Sequence, residues 1–313
     1  MNEGNSPIVL SIVTKCAICG TFGNSREIYK ARLHGENLDE KAFSARRFYN
    51  EKIHFRMVKC LTCGLLRSDP IIDPKIYDEL YLRSEFTYIG LVENLKKTYG
   101  YYLKKAEKYV PSKNSLLEIG CGNGFFLEEA LEQGYKNVSG VEPGREAIEK
   151  ARGDIKKHIK MEMFTKDSLP PNSFDCICIF QTLDHLLDPV KMLEDALAIL
   201  KPGGVLIAIN HNLNSLSSKI LGEKSPIIDI EHTYLYNKNT IRKLFEKSGF
   251  EVIKIFFPYS RHSVGYLFSL LPIQPVGLKK MIHRILDFLR VSDVPLFVPI
   301  GNLGIVAKKK VNF

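Results

Sequence analysis

Apolar positions along this 313-residue chain follow several rhythms, and each rhythm predicts an element. Leu116, Leu117 and Ile119 form the short continuous run of a strand covered on both faces, and glycines follow at alternate positions, Gly120, Gly122 and Gly124. Phe125, Phe126, Leu127, Ala130 and Leu131 then recur at helical spacing as far as Gly134, so the stretch reads as strand, glycine turn and helix. Val138-Ser-Gly-Val-Glu142 is a second apolar segment, closed by Pro143-Gly144 and followed by a helix over 145–152 that Gly153 stops. Ile159 to Phe164, Phe174 to Phe180, and Val205 to Ile209 after the Lys201-Pro-Gly-Gly204 turn supply further strands. Strand and helix alternate throughout, which predicts an α/β fold built on a doubly wound parallel sheet.

Ahead of that region the pattern changes. Cys16-Ala-Ile-Cys19-Gly20 and Cys60-Leu-Thr-Cys63-Gly64 are two Cys-x-x-Cys-Gly knuckles. In each, two thiolates face one metal and the glycine supplies the turn that aims backbone N–H groups at sulfur. Cys16, Cys19, Cys60 and Cys63 therefore predict a tetrahedral, structural Zn²⁺ site, with four buried thiols holding no metal as the alternative reading. Between the pairs, residues 22–59 leave and return; Arg26, Arg32, Arg46, Arg47, Phe48 and Tyr49 enrich this excursion in arginine and aromatic side chains without forming a motif. Pro70, Pro74, Tyr77 and Tyr81 read as a linker packing onto the next unit, and a helix over 91–109 stopped by Pro111 leads into the sheet. The expected organisation is a metal-binding module over 1–75, a helical linker over 76–112, and the α/β domain over 113–313 with a helical insertion at 260–299.

The glycine turn narrows the chemistry. A dinucleotide fingerprint is G-x-G-x-x-G, and here the third glycine comes one residue early, which argues against NAD. One carboxylate, Glu118, lies inside the first strand, and another, Glu142, ends the second, placed to accept hydrogen bonds from ribose hydroxyls. Glu118-Ile-Gly-Cys-Gly-Asn-Gly124 followed by Val141-Glu142-Pro143 resembles the first two motifs of the class I S-adenosylmethionine-dependent methyltransferases. Phe174-Asp175, Phe180-Gln-Thr-Leu-Asp-His185, Asp188-Pro189 and Leu200-Lys-Pro-Gly-Gly204 are similar to the later motifs in order and spacing, as is Glu231-His-Thr-Tyr-Leu-Tyr236 before the sixth strand. The resemblance covers roughly Ser115 to Phe257, and Gly301 to Ala307 corresponds to a last strand.

The resemblance implies a Rossmann-like sheet with that last strand antiparallel, and S-adenosyl-L-methionine as cofactor. It places the cofactor against Glu118, Gly120, Cys121, Gly122, Asn123 and Gly124 at the methionyl end, Glu142 and Pro143 at the ribose, Met163 and Phe164 beside the adenine, and Gln181 near the methyl group. The sulfonium already activates the methyl, so the protein's main task is in-line positioning, and an acceptor hydroxyl needs a base. His185, just past a strand tip, is the predicted base, with His211 and His232 as the other candidates. The cysteine module fused to such a domain resembles enzymes that modify sugars and small metabolites, including sugar C-methyltransferases, which carry a further large C-terminal domain where this sequence shows the short segment from Pro258 to Phe313. A sugar or glycan acceptor, methylated on oxygen or carbon, is the expectation; an RNA methyltransferase with a zinc-ribbon recognition module and a non-catalytic cofactor-binding module are the alternatives.

Composition changes little in this picture. Apolar residues make up 45% and charged residues 25%, an ordinary globular mix, and seven cysteines fit a cytoplasmic, reducing setting. The net charge of +9 invites nucleic acid, but residues 259–313 alone hold eight basic side chains against two acidic ones. Exocyclic-amine methyltransferases also carry an Asn/Asp-Pro-Pro-aromatic turn where this chain has Gln181-Thr-Leu-Asp184, so nucleic acid is not the expected partner. Within the basic tail, residues 276–290 form an amphipathic helix with Leu278, Met281, Ile282, Ile285 and Leu289 on one face, suited to capping the site, to a dimer contact, or to peripheral contact with an anionic membrane. Oligomeric state is not predicted.

Overall fold

The computed structural model describes residues 11–33, 53–83, 89–271, 273, 275–299 and 301–311. Arg46, Arg47, Phe48 and Tyr49 of the excursion lie outside the described residues. The module is an antiparallel array of β1 (Ser25–Tyr29), β2 (Met57–Cys60) and β3 (Leu66–Ser68). Two helices follow, α1 (Pro74–Arg83) and α2 (Val92–Ala106).

The α/β domain then runs β4 (Ser115–Ile119), α3 (Phe125–Glu132), β5 (Asn137–Val141), α4 (Arg145–Glu149), α5 (Gly153–Lys156), β6 (Ile159–Lys160), β7 (Phe174–Phe180), α6 (Pro189–Ile199) and β8 (Leu200–His211). It continues through α7 (Leu216–Leu221), β9 (Tyr234–Leu235), α8 (Lys238–Lys247), β10 (Phe250–Phe256), β11 (Ser260–Ser263), α9 (Val264–Ser269), α10 (Val276–Phe288), β12 (Pro295–Val298) and β13 (Asn302–Lys309). Seven of these strands form one sheet in the order β10-β13-β8-β7-β4-β5-β6. Only β13 runs against its neighbours, as expected for the last strand.

Strand pleat builds the core. Leu117 and Ile119 of β4 join Ile177 and Ile179 of β7 and Leu206 and Ala208 of β8 in an apolar cluster with Leu193 and Ala196 of α6 and Ile241, Leu244 and Phe245 of α8. The alternate positions, Leu116, Cys176, Cys178, Phe180, Val205, Ile207 and Ile209, face the other way onto Tyr99 and Leu103 of α2 and Phe126 and Leu127 of α3. Cys176 and Cys178 are thus buried small hydrophobes. Helix ends follow local chemistry: Gly134 closes α3 with φ at +91°, Asp188 caps α6 by accepting from the Lys191 N–H at 3.0 Å, and Asn237 and Thr240 form a reciprocal cap on α8. Helix α4 ends at Glu149, short of the expected 152, and Gly153 opens a helix instead of stopping one. Arg152 takes an extended conformation there and a new turn of helix, α5, begins at Gly153.

The cysteine module is built into the domain. Strand β9 pairs antiparallel with β3, setting Tyr234 opposite Arg67, so one strand of the α/β domain completes the module's sheet. Cys16, Ala17, Cys60 and Leu65 share the apolar cluster of α6 and α8. At the last turn of α8, the Lys247 ammonium donates to the carbonyls of Ala17 and Ile18 at 2.9 and 2.8 Å. The fully buried Arg67 donates to the Thr14 hydroxyl and carbonyl at 3.0 and 3.2 Å. The insertion between β10 and β13 is helix plus ribbon: α9 and α10 are enclosed by the antiparallel pair β11 and β12.

Candidate active site

The glycine turn sits where β4 ends at the middle of the sheet. Gly120, Gly122 and Gly124 take φ of +75°, +54° and +75°, a region side chains rarely occupy. Space is short as well: a Cβ on Gly120 would lie 2.4 Å from the Thr182 hydroxyl, and one on Gly124 2.5 Å from Ile155. Glu142, just beyond β5, ties the turn down. One carboxylate oxygen accepts from the Gly122 N–H at 2.9 Å and the other from the Gly144 N–H at 2.8 Å. Burial raises its pKa above the ordinary value, partly offset by those two N–H groups.

Glu118 is 2% exposed, and burial together with the charge of Glu142 lifts its pKa well above the usual carboxylate range. Its Oε2 is buried without a hydrogen-bond partner among the described residues, and so are Asn123 Oδ1 and Gln181 Oε1. Gln181, at the end of β7, holds a left-handed φ of +54°, a conformation costing about 1 kcal/mol or more for a residue with a side chain, and its N–H donates to the Ile209 carbonyl at 2.8 Å. Unsatisfied buried acceptors and a strained backbone gathered at one sheet edge are what a polar ligand site requires. Met163 is exposed and Phe164 half-buried, both following β6, whose Lys160 carbonyl accepts from the Glu142 N–H at 3.0 Å.

Beside Gln181 lies a cluster that the sequence divides among distant segments. Asp184 is fully buried. Its Oδ2 accepts from His211 Nδ1 at 2.6 Å, and its Oδ1 lies 3.8 Å from His185 Nε2. The His232 ring stands edge-on between the two histidines, with centroids 4.8 Å from His185 and 4.7 Å from His211. Burial alone would raise the Asp184 pKa. The charge and hydrogen bond of His211, then the charges of His185 and His232, outweigh burial and hold the carboxyl well below its ordinary range. Helix α1 closes the cluster from the module side: the Tyr77 hydroxyl donates to the His185 carbonyl, and the Tyr81 hydroxyl is 2.5 Å from His185 Nδ1. Burial keeps both phenols protonated.

Against this geometry stand the comparisons with known proteins. A methyltransferase-domain family model matches residues 91–255, just over half of the chain. The chain belongs to the methyltransferase family. Ubiquinone biosynthesis O-methyltransferase of Vibrio cholerae is 28% identical over 166 residues, 50% of this chain and 66% of that protein. The Coxiella burnetii protein of the same name is 31% identical over 131 residues, 38% of this chain and 54% of that one. The chain thus spans between about half and two thirds of the curated relatives it matches. A solved S-adenosylmethionine-dependent methyltransferase from Archaeoglobus fulgidus superposes with a TM-score of 0.49 at 22% identity, covering 72% of this chain and all of that one.

The site suits S-adenosylmethionine as methyl donor: three buried acceptors without partners among the described residues and a carboxylate bridging two turns are the polar groups that a cationic methionyl end and ribose hydroxyls call for. The predicted loop residues, Glu142 and Gln181 come together at one sheet edge, and His185 joins them through Asp184. Sequence reading missed the central place of Asp184, the contacts of Tyr77 and Tyr81, and Asn210, whose buried side-chain amide lacks a partner among the described residues. The i, i+4 spacing of the two tyrosines was the one available signal.

The four cysteines of the knuckles also converge. Their sulfurs lie within 4.8 Å of one another, with Cys16 to Cys63 at 3.4 Å and Cys19 to Cys60 at 4.0 Å. A tetrahedron of ~2.3 Å metal–sulfur bonds has edges of about 3.8 Å, so the cluster has the dimensions of a four-thiolate site. Burial opposes ionisation of Cys60, yet the N–H groups of Cys63 and Thr62 bring its pKa down to about 6.

Proposed function

We propose that this methyltransferase methylates a hydroxyl oxygen of a small-molecule acceptor, with a sugar or glycan as the substrate class and His211 as the base. S-Adenosylmethionine, when bound, supplies a methyl group on a sulfonium. Glu118, Asn123 and Gln181 hold its methionyl end through the acceptors left unpaired, while Glu142 and Pro143 lie at the ribose and Met163 and Phe164 flank the adenine. The His211 ring nitrogen left free by Asp184 would take the proton of the acceptor hydroxyl as that oxygen is methylated, leaving a methyl ether and an imidazolium held by the Asp184 carboxylate.

The observation that carries this reading is the buried Asp184 carboxylate accepting from His211 Nδ1 at 2.6 Å. A carboxylate there orients the ring, fixes the proton on Nδ1 and stabilises the imidazolium that forms. His185, the base expected from its sequence position, has Nδ1 engaged by Tyr81 and Nε2 3.8 Å from Asp184, which suits it to orienting the acceptor. The names of the curated relatives support oxygen as the methylated atom, and the fused cysteine module supports a sugar or small metabolite. We further propose that Cys16, Cys19, Cys60 and Cys63 hold a structural zinc, since four thiolates leave no position for a substrate.

The test is transfer of labelled methyl from S-adenosylmethionine into fractionated cell extract, followed by mass spectrometry of the labelled product. Label in a small-molecule or glycan fraction is the expected result; label confined to RNA would replace this reading with nucleic-acid methylation.

A further inference from the structure

Helix α10 (Val276–Phe288) presents an apolar stripe to solvent. Leu278, Met281, Ile285 and Phe288 are spaced three, four and three residues apart, which puts them on one helical face, and Leu289 adjoins it. They are 39, 52, 48, 86 and 58% exposed, respectively. The opposite face holds the helix to the protein: the Lys279 ammonium donates to the Ser269 carbonyl at 2.6 Å, the His283 ring meets Phe268 edge-on at 5.1 Å, and Ile282 and Leu286 are half-buried. The helix is therefore anchored to α9 with its hydrophobic side turned to solvent. Five large apolar side chains in one exposed stripe call for a cover.

Charge chooses among the covers. Arg284 and Lys280 border the stripe along one side of the helix and Arg290 follows it, outnumbering Asp287, the helix's one acidic residue, which accepts from the Ser292 hydroxyl. A second copy docked stripe to stripe would bring these cations toward one another, which disfavours that contact. An anionic surface with an apolar interior satisfies both features. At 13 residues the helix is too short to cross a bilayer, and no helix among the described residues is long and apolar enough to do so. The position also fits: β10 runs parallel to β8 and β4, so the insertion leaves the sheet at the edge that carries the glycine turn.

We propose that α10 is an interfacial helix that lies in the surface of an anionic lipid bilayer, with Leu278, Met281, Ile285, Phe288 and Leu289 in the acyl boundary and Lys280, Arg284 and Arg290 at the headgroups. The inference does not depend on the acceptor or on the base.

The test uses the full chain and vesicles of phosphatidylcholine, with and without phosphatidylglycerol, in a sedimentation assay. Wild-type protein partitions onto the anionic vesicles, more weakly onto neutral ones, and less as salt rises. Met281→Glu with Phe288→Glu lowers partitioning at least about tenfold, and Lys280→Glu with Arg284→Glu lowers it several-fold on anionic vesicles only. Unchanged S-adenosylmethionine affinity by calorimetry certifies that each variant is folded. Absence of binding to anionic vesicles overturns the proposal, as does binding indifferent to the Met281 and Phe288 changes. A wild-type dimer in sedimentation equilibrium that those changes make monomeric, without vesicle binding, assigns the stripe to a second copy.

Discussion

Glu118→Gln should act in opposite directions on the free protein and on its complex. In the free protein the Glu118 carboxyl is 2% exposed, has one oxygen without a partner among the described residues, and lies near a second carboxylate, Glu142. Its pKa is raised above the unfolded value, so between those two values the folded state keeps a proton that the unfolded state has released. Stability then falls with rising pH, by about 1.4 kcal/mol per pH unit across that window, starting near the unfolded pKa of ~4.3. Glutamine has nearly the same shape and no charge to bury, so this contribution disappears. In thermal melts of cofactor-free protein, the variant should gain on wild type as pH rises from 5 toward neutrality, by roughly 2 °C or more per pH unit for a chain of this size. Cofactor affinity should fall, because a hydrogen bond to a charged group contributes about 1.5–3 kcal/mol, equivalent to roughly 10- to 150-fold in dissociation constant. Calorimetry measures the second effect directly. Melting curves that stay parallel at every pH would refute the buried-carboxylate reasoning, and unchanged affinity would remove Glu118 from the cofactor site.

Asp184→Asn should reduce turnover by about 10²-fold or more with cofactor affinity unchanged, since it removes the charge that orients His211; steady-state kinetics checks this. His211→Asn should cost at least ~10²-fold in turnover, whereas His185→Asn should mainly raise the apparent KM for the acceptor. Glu142→Ala should weaken cofactor binding by ~1–3 kcal/mol by calorimetry, and more than a lost ribose contact alone, because the Gly122 and Gly144 N–H groups lose their acceptor. Elemental analysis should find one zinc per wild-type chain and none in Cys16→Ser, and the substitution should also lower the melting temperature of the whole chain, because Cys16 and Cys60 share a core cluster with α6 and α8.

What the sequence made legible was local. Phe174 to Phe180 appears as a strand with the expected bounds because a continuous apolar run covered on both faces has few other solutions. The segment at 159–164 yields only the two-residue β6, because it lies at the sheet edge and pairs on one side alone. The glycine turn and the acid that follows it were readable because their spacing is their function. The join between module and domain was not readable: β9 is two residues long and pairs with a strand more than 160 positions earlier, and so short a segment leaves no periodic trace. Asp184 was visible only as one letter of a motif. Its role depends on three histidines delivered by separate segments and two tyrosines delivered by α1, an arrangement that exists only after folding.

The central claim is oxygen methylation driven by the Asp184–His211 pair. Its most direct measurement is an NMR spectrum of the product formed from S-adenosylmethionine bearing a ¹³C-labelled methyl group, recorded in parallel for wild type and Asp184→Asn. The account predicts a labelled methyl bonded to oxygen in the wild-type product and almost none from the variant over the same time. A methyl bonded to carbon or nitrogen, or a variant that forms product at the wild-type rate, would contradict it.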